Sequence, residues 1–89
     1  MKRLHLKIHG LVQGVYFRSS ARQKARELGL SGWVKNMPDD TVETVAEGKE
    51  NNLNEYKKWC ETGPPEARVE NIQEKWEEPR GEFKGFGIK

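Results

Sequence analysis

Gly10-Leu11-Val12-Gln13-Gly14-Val15-Tyr16-Phe17-Arg18 separates one hydrophobic period from another, and the reading of the fold turns on that change. Before it, Leu4, Leu6 and Ile8 alternate with His5, Lys7 and His9, the period of a half-buried strand. After it, Ala21, Ala25 and Leu28 recur at i, i+4 and i+7, a helical stripe with Ser19 and Ser20 available to cap its start. Two glycines and a closing arginine in a strand-to-helix turn point to a cradle for an oxyanion. Successive N–H groups of such a turn converge on one anion, and the helix N-terminus adds free donors and the positive end of its dipole. Arg18 contributes a rigid fork of charged donors that suits phosphate.

Working outward, the patterns predict strand 3–10, loop 11–18, helix 19–29, strand 31–37, strand 41–48, helix 50–62, strand 67–77 and a short strand 83–89. Leu28-Gly29-Leu30-Ser31-Gly32 carries the glycine stop of the first helix, and Met37-Pro38-Asp39-Asp40 reads as a hairpin turn. Leu53, Tyr56 and Cys60 define the buried stripe of the second helix. Val42, Thr44 and Ala46 are expected to be buried, with Glu43, Val45 and Glu47 on a mostly wet face. Val69 and Ile72 have opposite parity, which predicts either a bulge or a strand end exposed on both sides. Glu74 to Glu82 reads as a charged turn around Pro79 and Gly81. The order βαββαβ with a tail strand is an α+β chain, with an antiparallel sheet carrying both helices on one face in the ferredoxin-like arrangement.

A length of 89 residues, 34% of them hydrophobic and 34% charged, leaves room for one core, so residues 1–89 are expected to form one domain. No apolar run is long enough to span a membrane, and Met1-Lys2-Arg3 leads straight into an alternating strand. A cytoplasmic chain without a membrane partner is the expectation. The lone Cys60 is read as a small apolar helix residue beside Trp59. Charge is uneven: residues 1–36 carry eight Lys/Arg and one acid, whereas residues 37–89 carry eight and thirteen. The basic half contains the loop, which raises the local potential for a small anion. Individually, Arg22, Lys24, Arg26 and Lys35 read as solvated surface charges.

GLVQGVYFR, followed by ARELGLSGWVKN, DDTVE, GPPEARV and a terminal FGIK, resembles the acylphosphatase family along nearly the whole chain. The order and spacing make the match specific, with Asn36 eighteen residues after Arg18. The resemblance implies hydrolysis of small acyl phosphates to carboxylate and inorganic phosphate. It implies Arg18 and Asn36 as catalytic residues, and a phosphate-holding loop formed by Val12, Gln13, Gly14, Val15, Tyr16, Phe17 and Arg18. The loop acts mainly through main-chain N–H groups, while Asn36 orients the attacking water. A monomer is expected, with inorganic phosphate or another oxyanion as product or inhibitor. One departure stands out: the family's usual Asp-Gly turn is Asp39-Asp40 here, which adds strain and a negative charge near the proposed site.

An acyl phosphate is a mixed anhydride whose leaving group is a carboxylate, so its departure needs no strong general acid. Attack on phosphorus passes through a loose transition state in which positioning and charge stabilisation supply most of the catalysis. No cofactor and no metal are therefore expected, and the sequence has no HxxH, no carboxylate pair at metal spacing and no Cys/His set. With no base evident, the substrate's own phosphate oxygen is expected to accept the water's proton. His5 and His9 share a strand face but stand roughly 13 Å apart, too far to hold one ion together. Trp33, Trp59 and Trp76 read as packing residues.

Two other readings remain. Lys84-Gly85-Phe86-Gly87 imitates the base-stacking motif of RNA-recognition domains, although it closes the chain instead of lying on the third strand, and the acidic second half opposes backbone binding. A non-catalytic ferredoxin-like domain with a protein partner or regulatory role is the other.

Overall fold

The computed structural model describes residues 1–89. Its elements are β1 (Lys2–Leu11), α1 (Phe17–Glu27), β2 (Ser31–Asn36), β3 (Val42–Gly48), α2 (Glu50–Thr62), β4 (Arg68–Glu77) and β5 (Phe86–Ile88). They form one five-stranded sheet in the order β4-β1-β3-β2-β5. The first four strands pair antiparallel, as expected. The tail strand β5 joins β2 in parallel, which makes the sheet mixed.

Alternation decides which strand face is buried. Leu4, Leu6 and Ile8 are fully enclosed against Ala21 and Ala25 of α1 and Leu53, Tyr56 and Cys60 of α2, in one core cluster. Alanines at the α1 positions let that helix approach the sheet closely. Two polar groups drawn into this layer satisfy each other: the Tyr56 hydroxyl meets Thr44 Oγ1 at 2.9 Å, and that oxygen also donates to the Trp33 carbonyl. Burial drives the Cys60 thiol well above its ordinary range, in keeping with a packing role.

The predicted wet face of β3 is not wet. Val45 and Glu47 are both buried. The chain must travel from one sheet edge at β4 to the other at β5, and its crossing covers the Glu47 end of that face, leaving Glu43 half-buried. Glu47 anchors the crossing by accepting hydrogen bonds from Arg3 Nη1 at 2.8 Å, Arg80 N at 2.8 Å and Gly81 N at 3.1 Å. Arg3 also bonds Glu82 and lies over the Phe83 ring, so 83–85 is held as a loop and β5 begins only at Phe86. Glu74 to Glu77, which the sequence placed both in strand 67–77 and in the charged turn, belong to β4, which ends at Glu77 as the strand prediction had it.

Helix α1 starts at Phe17, two residues before the predicted position, and ends at Glu27. Tyr16 is its N-cap residue, in a left-handed conformation, and neither Ser19 nor Ser20 caps the helix. Ser19 Oγ instead donates back to the Tyr16 carbonyl at 3.2 Å. At the other end, Gly29 N bonds the Arg26 carbonyl and Leu30 N the Ala25 carbonyl, a Schellman stop that leaves Gly29 outside the helix.

The parity change in β4 is a bulge. His9 pairs with Asn71 but Gly10 pairs with Val69, leaving Glu70 as the extra residue. Gly10 has φ 131°, and a Cβ there would collide with the Arg68 carbonyl oxygen. The backbones can approach only because Gly10 has no side chain, and the bulge increases the twist just where β1 runs into the loop.

Candidate active site

β1, β2 and β5 run in the same direction, so their C-terminal ends open at one edge of the sheet. The 12–16 turn follows β1, Asn36 ends β2, and Ile88 ends β5. Together they enclose an open cleft of about 400 Å³ lined by Val12, Gly14, Tyr16, Phe17, Arg18, Ser19, Asn36 and Ile88. The sheet thus unites the two halves of the predicted site, Arg18 with its loop and Asn36.

Within the turn, φ is positive at Gly14 (75°) and Tyr16 (65°) but not at Gln13 or Val15. Alternation of this kind points successive N–H groups toward one centre, the geometry of an anion nest. No main-chain hydrogen bond outside the regular elements is donated by residues 12–19. The turn and the first turn of α1 therefore present a continuous set of free donors, reinforced by the positive end of the helix dipole. Arg18 is half-buried and engaged in no ion pair. Its charge is uncompensated at the mouth of the nest.

Asn36 faces the same cleft. Its Oδ1 is shielded from solvent and has no hydrogen-bond partner, a costly state for a polar atom unless something in the cleft satisfies it.

Gln13 and Val15 belong to the loop without lining the cleft. Val15 packs against the core. The Gln13 amide crosses to the β2–β3 turn, donating to the Met37 carbonyl at 2.8 Å and the Thr41 carbonyl at 2.9 Å. These two carbonyls flank the turn that follows Asn36, so one side chain joins the nest to the strand end opposite it. Sequence reasoning missed this brace, together with Ser19 and Ile88 in the lining. The alternation of Phe86 with Ile88 could have placed Ile88 on the face shared with Asn36.

Asp40 adopts φ 71°, is exposed and stands outside the cleft lining. Asp39 carries the turn: its carboxylate accepts from Thr41 Oγ1 at 2.6 Å and Thr41 N at 3.2 Å and pairs with Lys7 at 2.9 Å. Hydrogen bonds from Thr41 and Lys7 hold that carboxyl well below the usual range. His5 and His9 do not converge on the open sheet face: His9 Nε2 hydrogen-bonds Gln73 at 3.1 Å, whereas His5 Nε2 lies 3.5 Å from Glu43 without a hydrogen bond. Of the tryptophans, Trp59 packs on Phe17 with ring centres 5.4 Å apart. Trp33 instead lies on the open face between Lys35 and Lys89, and Trp76 is partly exposed at the β4 edge. Phe86 is buried edge-on against Tyr56, which removes it as a base-stacking platform.

The sequence matches the acylphosphatase family model over residues 4–88. The chain belongs to the acylphosphatase family. An acylphosphatase from Roseiflexus sp. (strain RS-1) is 51% identical over 88 residues, covering 99% of this chain and 95% of that protein. The crystal structure of acylphosphatase from Bacillus subtilis superposes with a TM-score of 0.96 at 34% identity, covering 100% of this chain and 99% of the other. An acylphosphatase structure from Coxiella burnetii gives 0.92 at 39% identity, over 99% of this chain and 92% of that one. The acylphosphatase fold thus extends over the whole sheet, including the parallel tail strand.

Proposed function

We propose that this chain hydrolyses the carboxyl–phosphate anhydride of small acyl phosphates, yielding a carboxylate and inorganic phosphate. The observation that carries the reading is a nest of unpaired N–H groups beside the uncompensated Arg18, with Asn36, whose Oδ1 has no partner, lining the same cleft. The N–H groups of residues 12–18 and the Arg18 fork hold the phosphoryl oxygens and stabilise the charge that builds on them. Asn36 accepts a hydrogen bond from the attacking water and aligns it opposite the scissile P–O bond. Water oxygen bonds to phosphorus, the P–O bond to the acyl group breaks with its electron pair leaving on the carboxylate, and a phosphoryl oxygen takes the water's proton. The cationic nest supplies the electrostatic assistance, so neither metal nor cofactor enters the reaction.

In this reading residues 1–89 act as one domain and a single copy suffices, because every group assigned a role comes from one chain. The substrate is a small molecule in the cytoplasm, with inorganic phosphate as product and competitive inhibitor. No helix is long and apolar enough to cross a membrane. The test is hydrolysis of benzoyl phosphate with chelator present, comparing the intact chain with Arg18→Ala and Asn36→Ala, folding being checked by circular dichroism. Turnover that collapses in both variants supports the assignment. A folded, inert intact chain assigns the protein instead to the non-catalytic binding or regulatory class.

A further inference from the structure

Tyr16 is difficult to explain as a packing residue. It takes a left-handed φ of 65°, a conformation that is strained for an ordinary L-residue and that glycine would adopt freely. Its ring is 72% exposed, touches no other aromatic ring and belongs to no part of the core. The fold therefore carries both strain and an exposed aromatic surface, and strain of this kind concentrates where a ligand is handled. Tyr16 lines the cleft.

Ile88 makes a second apolar wall. It pairs beside Val34 on β2, and the two-residue strand period puts it on the same face as buried Phe86 and, along β2, as Asn36. Phe86 turns into the core, whereas Ile88 stays 38% exposed and lines the cleft. Arg18 is the only charged side chain in that lining. Once it engages the phosphoryl group, nothing charged remains to greet the rest of the substrate.

We propose that Tyr16 and Ile88 form an apolar clamp for the acyl group. The clamp selects acyl phosphates whose acyl part is an aromatic ring or a branched hydrocarbon, and disfavours those whose acyl part carries its own charge. The inference rests on the acyl phosphate reading above and adds the class of acyl group. A benzoyl ring covered on two sides loses several tens of Å² of apolar surface to the protein. At about 25 cal/mol per Å², that amounts to roughly a tenfold preference over acetyl. A carboxylate in the same position is left without a partner, so a succinyl group is rejected more strongly.

The experiment measures kcat/KM for benzoyl, acetyl and succinyl phosphate, each divided by its uncatalysed hydrolysis rate. The proteins compared are the intact chain, Tyr16→Gly, Tyr16→Phe and Ile88→Ala. Ratios between substrates are the readout, because they cancel any change common to all three in the phosphate-holding loop. The intact chain is expected to favour benzoyl over acetyl by about tenfold, with succinyl last. Tyr16→Gly and Ile88→Ala should each bring the benzoyl-to-acetyl ratio down severalfold, mainly through KM for benzoyl phosphate, as expected when binding common to ground and transition states is lost. Tyr16→Phe should retain the ratio, since the hydroxyl makes no hydrogen bond. Tyr16→Gly relieves the positive φ and so removes the ring without loss of folding, and Ile88→Ala tests the opposite wall independently. A ratio that neither variant moves overturns the clamp, as does an intact chain that uses succinyl phosphate as readily as benzoyl. Turnover with flat ratios overturns the clamp alone, whereas no turnover of any acyl phosphate overturns the hydrolase reading with it.

Discussion

Gln13 donates its side-chain amide to the carbonyl of Met37, the neighbour of Asn36, over a separation of 24 residues. Its second bond, to the Thr41 carbonyl, closes the other side of the same turn. The nest and the strand end that faces it are therefore tied by one side chain that does not itself line the cleft. Gln13→Ala is expected to lower kcat on benzoyl phosphate by about 10- to 100-fold, because sub-ångström loosening between phosphate and water is costly. Stability should fall by about 1–2 kcal/mol as two carbonyls lose their donor. Steady-state kinetics alongside urea unfolding checks both, and an unchanged kcat in the folded variant would show that the brace is not needed for chemistry.

Arg18 and Asn36 should separate kinetically. Arg18→Ala removes charge from ground and transition states alike, so the inhibition constant of inorganic phosphate should rise at least tenfold while kcat/KM falls by about 10³-fold or more. Asn36→Ala should lower kcat by about 10²- to 10³-fold and leave phosphate inhibition within about twofold, since the water it orients is not part of phosphate binding. Phosphate inhibition measured on both variants distinguishes the roles.

Glu47 supplies an acid-sensitive element of stability. Burial alone would raise its carboxyl, but the Arg80 amide, Arg3 and the Gly81 amide outweigh burial and hold it below its ordinary 4.5. The folded state therefore favours the charged form. Its contribution is present above the ordinary value and is lost as pH falls from there through the depressed folded value. Glu47→Gln should cost about 2 kcal/mol at neutral pH and flatten the acid limb of the stability profile. Urea midpoints between pH 3 and pH 7 provide the comparison, and parallel profiles for the two proteins would contradict the assignment.

The basic first half of the chain should draw substrate in. Residues 1–36 carry eight Lys/Arg against one acid, and Arg22 follows the uncompensated Arg18 by one helical turn. Raising ionic strength from about 0.01 M to 0.15 M shortens the screening length from roughly 30 to 8 Å. A severalfold fall in kcat/KM with kcat nearly constant is expected. A salt-independent kcat/KM would confine the electrostatics to the nest itself.

Elements with a hydrophobic period were legible in the sequence, because burial of one face is a local demand. Leu4, Leu6 and Ile8 in β1 and Leu53, Tyr56 and Cys60 in α2 occupy the predicted faces. The loop and Asn36 were legible through glycine spacing and the order of motifs, and the sheet joins them in one cleft. What escaped depends on segments distant in sequence. Glu47 looks like a surface residue until the 78–85 crossing covers it, and Gln13 leaves no local trace of a bond to carbonyls 24 and 28 residues away. The start of α1 escaped for a different reason. Ser19 and Ser20 have cap chemistry, but the nest needs Tyr16 left-handed, and the helix then winds from Phe17.

The shared direction of β1 and β5 also gives the molecule a practical polarity. The chain enters β1 at the edge remote from the cleft and leaves β5 at the edge that contains it. A tag, reporter or surface tether joined ahead of Met1 therefore departs from the back of the protein. The same attachment after Lys89 emerges one residue from Ile88, beside the mouth through which substrate enters, so immobilised or fused forms should be built from the front of the sequence.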